Sequence, residues 1–220
     1  LISHNKISMY DELARKHEYY NNTFFGKWAR LYDYEKYFLF PIRRKAAQFF
    51  RLRPPAKVID VATGTGAQAY ELAKLGLDVT GVDLSPEMLE QAKKKISKDL
   101  NLRFLHADAT EIPFKDSEFD AASISLGLHD MPYEIGLDVL REIQRVVKAE
   151  GPILIVDYME PKKHWVAKLL YPLIKSYETP NYGPFINRGL DEILKQVNLK
   201  IDRFTHVWGI AQIAVAMNSK

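Results

Sequence analysis

Hydrophobic and polar positions change rhythm twice along the chain. Residues 1–53 carry a helical pattern dense in rings, Tyr10, Tyr20, Phe25, Trp28 and Tyr32 among them. Pro54-Pro55 closes that segment, because proline disfavours helix in the residue before it. From Lys57 onward, short apolar runs alternate with amphipathic stretches. Strands are expected over 57–62, 77–83, 101–106, 119–126 and 151–158, with helices over 67–75 and 133–148 and another from Ser85. Ser85 offers an N-cap oxygen and Pro86 suits the first helical position, where its missing N–H costs nothing. Strands alternating with helices imply parallel strands joined by right-handed crossovers, so the fold class is α/β. The tail differs again. An amphipathic helical stretch is expected over 164–177, a loop over 178–188 from its two prolines and Gly183, and a short helix over 190–197. Two strands, 199–207 and 210–217, then pair about a Trp208-Gly209 turn.

The 220 residues suffice for one domain with a sizeable core. A net charge of +3 gives no electrostatic case for nucleic acid. With no cysteine, disulfide frameworks, cysteine–zinc sites and thiol nucleophiles drop out, and no metal site is expected. The first residues lack the basic-then-apolar pattern of a signal peptide, and no run approaches the roughly 20 apolar residues of a membrane span. A cytoplasmic protein is the expectation; a few residues are expected upstream of Leu1.

The chemistry concentrates where the second rhythm starts. In Val58-Ile59-Asp60-Val61-Ala62-Thr63-Gly64-Thr65-Gly66 a strand runs into a glycine turn and then into a helix amino terminus. Such a turn admits a ligand close to the backbone, and the helix start presents N–H groups and a positive dipole. Gly64-x-Gly66-x-x-Ala69 also satisfies the relaxed dinucleotide fingerprint, with Asp83 near the ribose position. Asp60, four residues before Gly64, would repel a pyrophosphate and suits an ammonium, directly or through water. S-adenosylmethionine carries that ammonium; a nicotinamide dinucleotide does not. Asp83 ends the second strand, where a carboxylate can accept from both ribose hydroxyls. Asp108, after the third strand, is placed to accept from an adenine amino group, with the Ala109 backbone against the ring edge.

These residues resemble class I S-adenosylmethionine-dependent methyltransferases. Asp60 to Gly66 is similar to their first motif, and Gly81 to Leu89 to the acidic-strand motif. Asp108 to Phe114 and Phe119-Asp120 are similar to the third and fourth, and Arg145 to Pro152 to the segment before the fifth strand. Ala62 and Pro152 stand where glycine is usual in the family. The Asp-Val-Ala-x-Gly-Thr-Gly form resembles the ubiquinone and menaquinone biosynthesis branch. That branch's Arg-Asn signature after the fourth strand is replaced here by Leu128-His129-Asp130-Met131-Pro132, which looks like small-molecule members. The resemblance implies a Rossmann-like, mostly parallel seven-stranded sheet with helices on both faces, an antiparallel last strand and a helical N-terminal cap. It implies one domain: cap 1–53, cofactor core 54–160, and substrate-side helices with the strand pair over 161–220. It also implies S-adenosyl-L-methionine as cofactor, leaving as S-adenosyl-L-homocysteine. The cofactor set is then Asp60, Ala62, Gly64, Gly66, Asp83, Leu84, Met88, Asp108, Ala109 and Ser125.

Methyl transfer needs alignment, exclusion of water and, for a hydroxyl or carbon acid, a base. His129 is the candidate base, with a hydrogen-bonded loop histidine as the alternative. Asp130 either orients the imidazole or caps the following turn. Tyr20, Trp28, Tyr32 and Asp157 are candidates for the acceptor pocket. The acceptor is expected to be small and apolar or lipid-like, with quinone C-methylation and amine or phospholipid N-methylation as sharper variants. Trp165 to Lys175 and Arg43-Arg44-Lys45 leave peripheral membrane contact open. No nucleic-acid partner is expected: Asn-Pro-Pro-Tyr and Asp-Pro-Pro-Tyr are absent after the fourth strand, as is a basic stripe. A nicotinamide-dependent oxidoreductase and a binding module without turnover remain as rivals.

Overall fold

A computed structural model describes Glu12, residues 36–161 and residues 179–220. Tyr20, Trp28 and Tyr32, and the helix expected over 164–177, lie outside the described residues. Helix α1 (Lys36–Phe50) leads into β1 (Lys57–Val61), α2 (Ala67–Ala73), β2 (Asp78–Asp83), α3 (Pro86–Lys93) and β3 (Leu102–His106). Then come β4 (Ala121–Ser125), α4 (Tyr133–Val146), β5 (Pro152–Tyr158), α5 (Tyr182–Arg188), α6 (Leu190–Lys195), β6 (Lys200–Val207) and β7 (Ala211–Met217).

The strands form one seven-stranded sheet in the order β3-β2-β1-β4-β5-β7-β6. β1 to β5 pair in parallel, and β7 runs against both β5 and β6. Strand order reverses between β1 and β4. In an open α/β sheet, the crevice beyond the carboxyl ends at such a reversal is where ligands bind. Asp60, Asp83 and Ser125 stand at or within a residue of those ends.

Alternation along each strand sends side chains to opposite faces, and both faces are covered, which is why the strands read as nearly continuous apolar runs. On one face Ile59, Val61, Ile124, Ile153 and Ile155 pack with Val139, Leu140 and Ile143 of α4. On the other, Val58, Val79, Leu154 and Val156 pack with Ile42, Ala46 and Phe50 of α1 and with Ala69 and Leu72 of α2. Asp60 and Ser123 are the polar interruptions of that second face, in register on neighbouring strands.

Local chemistry sets the boundaries. Ser85 Oγ accepts from the Met88 N–H at 3.3 Å, so the N-cap forms as expected. Trp208 and Gly209 both take positive φ, as a tight hairpin turn requires. The loop expected over 178–188 is corrected: Tyr182–Arg188 is helix α5. Pro184 falls in its first turn, where the backbone N–H has no intrahelical acceptor, so the ring removes no hydrogen bond.

Arg145, on α4, fixes the connection that follows β3. Its guanidinium donates to the Ile112 and Phe114 carbonyls, both at 2.8 Å, and to Glu142 and Asp116. Glu142 in turn accepts from the Ile112 N–H at 2.9 Å, and the guanidinium holds the Glu142 carboxyl below its ordinary value. Replacing Arg145 with leucine strands two carbonyls and a carboxylate, and about 2–3 kcal/mol of stability should be lost. Urea unfolding of the variant and the parent measures it.

Candidate cofactor and active site

The turn after β1 is the centre of the site. Ala62, Gly64 and Gly66 all take positive φ, at 51°, 55° and 75°. The N–H groups of this turn hold its shape: Thr63 donates to the Val82 carbonyl at 3.0 Å, Gly64 to Asp83 at 2.7 Å and Gly66 to the Thr63 carbonyl at 2.9 Å. The two glycines answer different demands. A Cβ at Gly66 would sit 2.5 Å from the Phe104 ring of β3, whereas a Cβ at Gly64 would meet nothing within 4 Å. Gly66 thus admits a packed ring, and Gly64 opens onto space a ligand can enter. Ala62 pays the usual cost of a non-glycine residue at positive φ, about 1–2 kcal/mol. Its Cβ packs against the next loop, 3.2 Å from where a Cβ at Gly127 would stand.

Two carboxylates grip this turn. Asp60 is 1% exposed and accepts from Thr63 Oγ1 at 2.5 Å and from Ser123 Oγ. Burial raises its pKa to about 6, against the opposing pull of the two hydroxyls. Asp83 accepts from the Gly64 N–H at 2.7 Å with one oxygen and from the Ser85 N–H at 2.9 Å with the other. Burial pushes its carboxyl up as well, while those N–H groups pull it down. Sequence reasoning missed Thr63, Ser123 and Phe104. Ser123-Ile124-Ser125 was the available signal, since two hydroxyls two residues apart in a buried strand share one face.

The other expected cofactor residues surround the turn. Leu84 is half-buried and its carbonyl meets His106 Nε2 at 2.9 Å; Met88 is buried on α3. Asp108 is exposed, and its Oδ1 accepts from the N–H and hydroxyl of Thr110, both at 2.8 Å, beside half-buried Ala109. Ser125 Oγ, at the carboxyl end of β4, is buried without a hydrogen-bond partner among the described residues.

Across the crevice His129 occupies a single 3₁₀ turn, Leu128–Asp130, and is buried. Its Nδ1 lies 2.6 Å from Asp157 Oδ1 on β5, and its Nε2 lies 3.5 Å from Asp130 Oδ2. Asp157, the shorter contact, also accepts from the N–H groups of Leu128, His129 and Tyr158. The N-cap position of α4 is Pro132, which offers no capping side chain. Edge-on rings of Tyr158 and Tyr182 stand 4.8 and 6.0 Å from the imidazole. Neither tyrosine figured among the sequence candidates; Tyr182 fell in the supposed loop.

Residues 58–151 match the family described as methyltransferase domain. Together with the sheet order and the gripped glycine turn, that match decides the family. Residues 58–151 are a methyltransferase domain. Over 153 residues, 68% of its length, the chain is 33% identical to a demethylmenaquinone methyltransferase of Staphylococcus aureus, and it spans only 62% of that protein's length. An S-adenosylmethionine-dependent methyltransferase from Aquifex aeolicus superposes with a TM-score of 0.64 at 23% identity, covering 80% of this chain and 88% of that one. A chain from a Haloferax volcanii complex with the Trm112 methyltransferase activator superposes at 0.70, with 18% identity and coverage of 90% and 98%. These likenesses carry the Rossmann-like methyltransferase fold.

Gly66→Ala should cost clearly more stability than Gly64→Ala, because both incur the left-handed cost of about 1–2 kcal/mol but only the first drives a methyl into the Phe104 ring. Denaturant midpoints of the two variants give the comparison. The raised Asp60 pKa has a pH signature. The folded state holds the proton between the unfolded value near 3.8 and the folded value of about 6, so Asp60's contribution is full at the acid end and lost as pH rises through 6. The difference amounts to about 3 kcal/mol. Asp60→Asn should therefore gain stability relative to wild type between pH 4 and pH 7, as read from unfolding curves at each pH.

Proposed function

We propose that this chain transfers a methyl group from S-adenosyl-L-methionine to a small, apolar or lipid-like acceptor, releasing S-adenosyl-L-homocysteine. The observation that carries the reading is the turn gripped by Asp60 and Asp83 with Gly64 opening onto free space. Local features fit the cofactor. A carboxylate offers about four lone-pair sites, so Asp83 keeps capacity for ribose hydroxyls beyond its two backbone donors. Asp60 supplies negative charge on the amino-acid side, held behind Thr63 and Ser123. Ser125 Oγ is a polar atom, unsatisfied among the described residues, where the methionyl end would lie. Asp108 and Ala109 follow β3, where an adenine would rest, with Leu84 and Met88 beside it. A pyrophosphate at the glycine turn would meet the buried Asp60 carboxylate, which disfavours a nicotinamide dinucleotide.

When bound, the cofactor supplies an electrophilic methyl carbon on a sulfonium. The chain's residues orient it, keep water away and remove the acceptor's proton. His129 is the base, at the carboxyl edge beside the loop that packs on Ala62. The likeness to a demethylmenaquinone methyltransferase supports a quinone-type acceptor and so the C-methylating variant.

Calorimetry with S-adenosylhomocysteine and NAD on the same preparation tests the cofactor. Saturable binding of the first at micromolar concentrations and no heat from the second is expected. The reverse order of affinity would make the chain a dinucleotide enzyme.

A further inference from the structure

Asp157 has more hydrogen bonds than a loop anchor needs. It is 1% exposed and accepts the backbone N–H groups of Leu128 and His129 on Oδ2, at 3.1 and 3.3 Å. On Oδ1 it takes the Tyr158 N–H at 2.7 Å and stands 2.6 Å from His129 Nδ1. Three backbone donors fix the carboxylate in direction, and the short fourth contact, in line with them, is a donation from Nδ1–H. An imidazole with its proton held on Nδ1 presents the lone pair of Nε2. This is the arrangement in which a buried acid orients a histidine that takes protons.

The surroundings of the ring point the same way. Tyr158 and Tyr182, 5.4 Å apart and edge-on, form a buried apolar cluster with Ile210, against which Leu126 and Trp208 pack. This cluster lies at the carboxyl edge of β4 and β5, next to Ser125 Oγ, which is unpartnered among the described residues. Asp130 Oδ2, at 3.5 Å from Nε2, is too long for a strong hydrogen bond, yet it is close enough to stabilise an imidazolium once one forms.

We infer that Asp157 is the positioning residue for His129, and that the pair selects acceptors whose own proton must leave: a phenol, a hydroquinone or another flat carbon or oxygen acid. The inference rests on the methyltransferase reading of the same site. In the step, the acceptor's electron pair forms the new bond to the methyl carbon as the sulfur–methyl bond breaks. The sulfur keeps that bond's electrons as a neutral thioether. The acceptor proton passes to Nε2, and the positive charge that leaves the sulfonium reappears on the imidazolium between Asp157 and Asp130. An amine acceptor needs no such device, because its neutral form already carries the attacking pair.

The test combines histidine-labelled nitrogen NMR of the whole chain with a transfer assay on 1,4-dihydroxynaphthalene and 1-aminonaphthalene. With S-adenosylhomocysteine bound at neutral pH, the His129 ring should show a proton on Nδ1, strongly downfield, and none on Nε2. Asp157→Asn should abolish that downfield signal and lower kcat on the dihydroxynaphthalene by about 100-fold or more. Its affinity for S-adenosylhomocysteine should stay within about twofold. Because Asp157 also receives three backbone donors, His129→Gln serves as a second variant that leaves them in place; it should lose the same transfer with the same affinity retained. A doubly protonated ring at neutral pH, kcat unchanged in either variant, or a wild-type preference for the aminonaphthalene would overturn the inference. Absence of S-adenosylhomocysteine binding by the wild type would instead overturn the methyltransferase reading beneath it.

Discussion

The site depends on a five-residue turn held in an unfavourable backbone conformation by two carboxylates. Ala62, Gly64 and Gly66 sit in the left-handed region, and within the turn the Gly66 N–H donates to the Thr63 carbonyl at 2.9 Å. Asp60 holds it from below through Thr63 and ties it to β4 through Ser123. Asp83 holds it from the side through the Gly64 N–H and ties it to the start of α3 through Ser85. The turn is thereby fastened to three strands, and its open side is left at Gly64. Preorganisation of this kind lets a ligand bind without first ordering the loop.

Burying acids has a cost, and the fold offsets it with oriented donors. Asp60 shows the balance tipping toward burial: two hydroxyl donors do not restore an ordinary acidity. Asp157 receives three N–H groups, and Asp83 receives two. In each case at least one donor belongs to the turn the acid fixes, Thr63 for Asp60, Gly64 for Asp83, and Leu128 with His129 for Asp157, so satisfying the carboxylate also shapes the crevice. Arg145 does the same from the far face, where it secures the connection that carries Asp108.

Much of this was legible in the sequence because the strands are buried on both faces and end in polar residues. β1, β2, β4 and β5 read as apolar runs punctuated at Asp60, Asp83, Ser125 and Asp157, and the helix after β2 carries its cap at Ser85. What stayed hidden were contacts across sequence distance. That Ser123 would meet Asp60 depends on β1 and β4 being neighbours, which the order of elements does not state. That Asp157 rather than Asp130 would take the Nδ1 of His129 depends on the register of β4 and β5. Helix α5 was obscured by composition, because two prolines and a glycine read as loop although Pro184 sits where a helix tolerates it. Phe104 was passed over because a single aromatic in a short strand gives no hint of Gly66 and Gly81, against which its ring packs.

The account stands on Asp83 serving both the turn and the nucleoside. The most direct measurement is the dissociation constant of S-adenosylhomocysteine for Asp83→Ala, compared with wild type in the same buffer after folding is verified by circular dichroism. Loss of two hydrogen bonds from a charged acceptor predicts an affinity lower by about 30-fold or more. A folded variant that binds as tightly as wild type would contradict it.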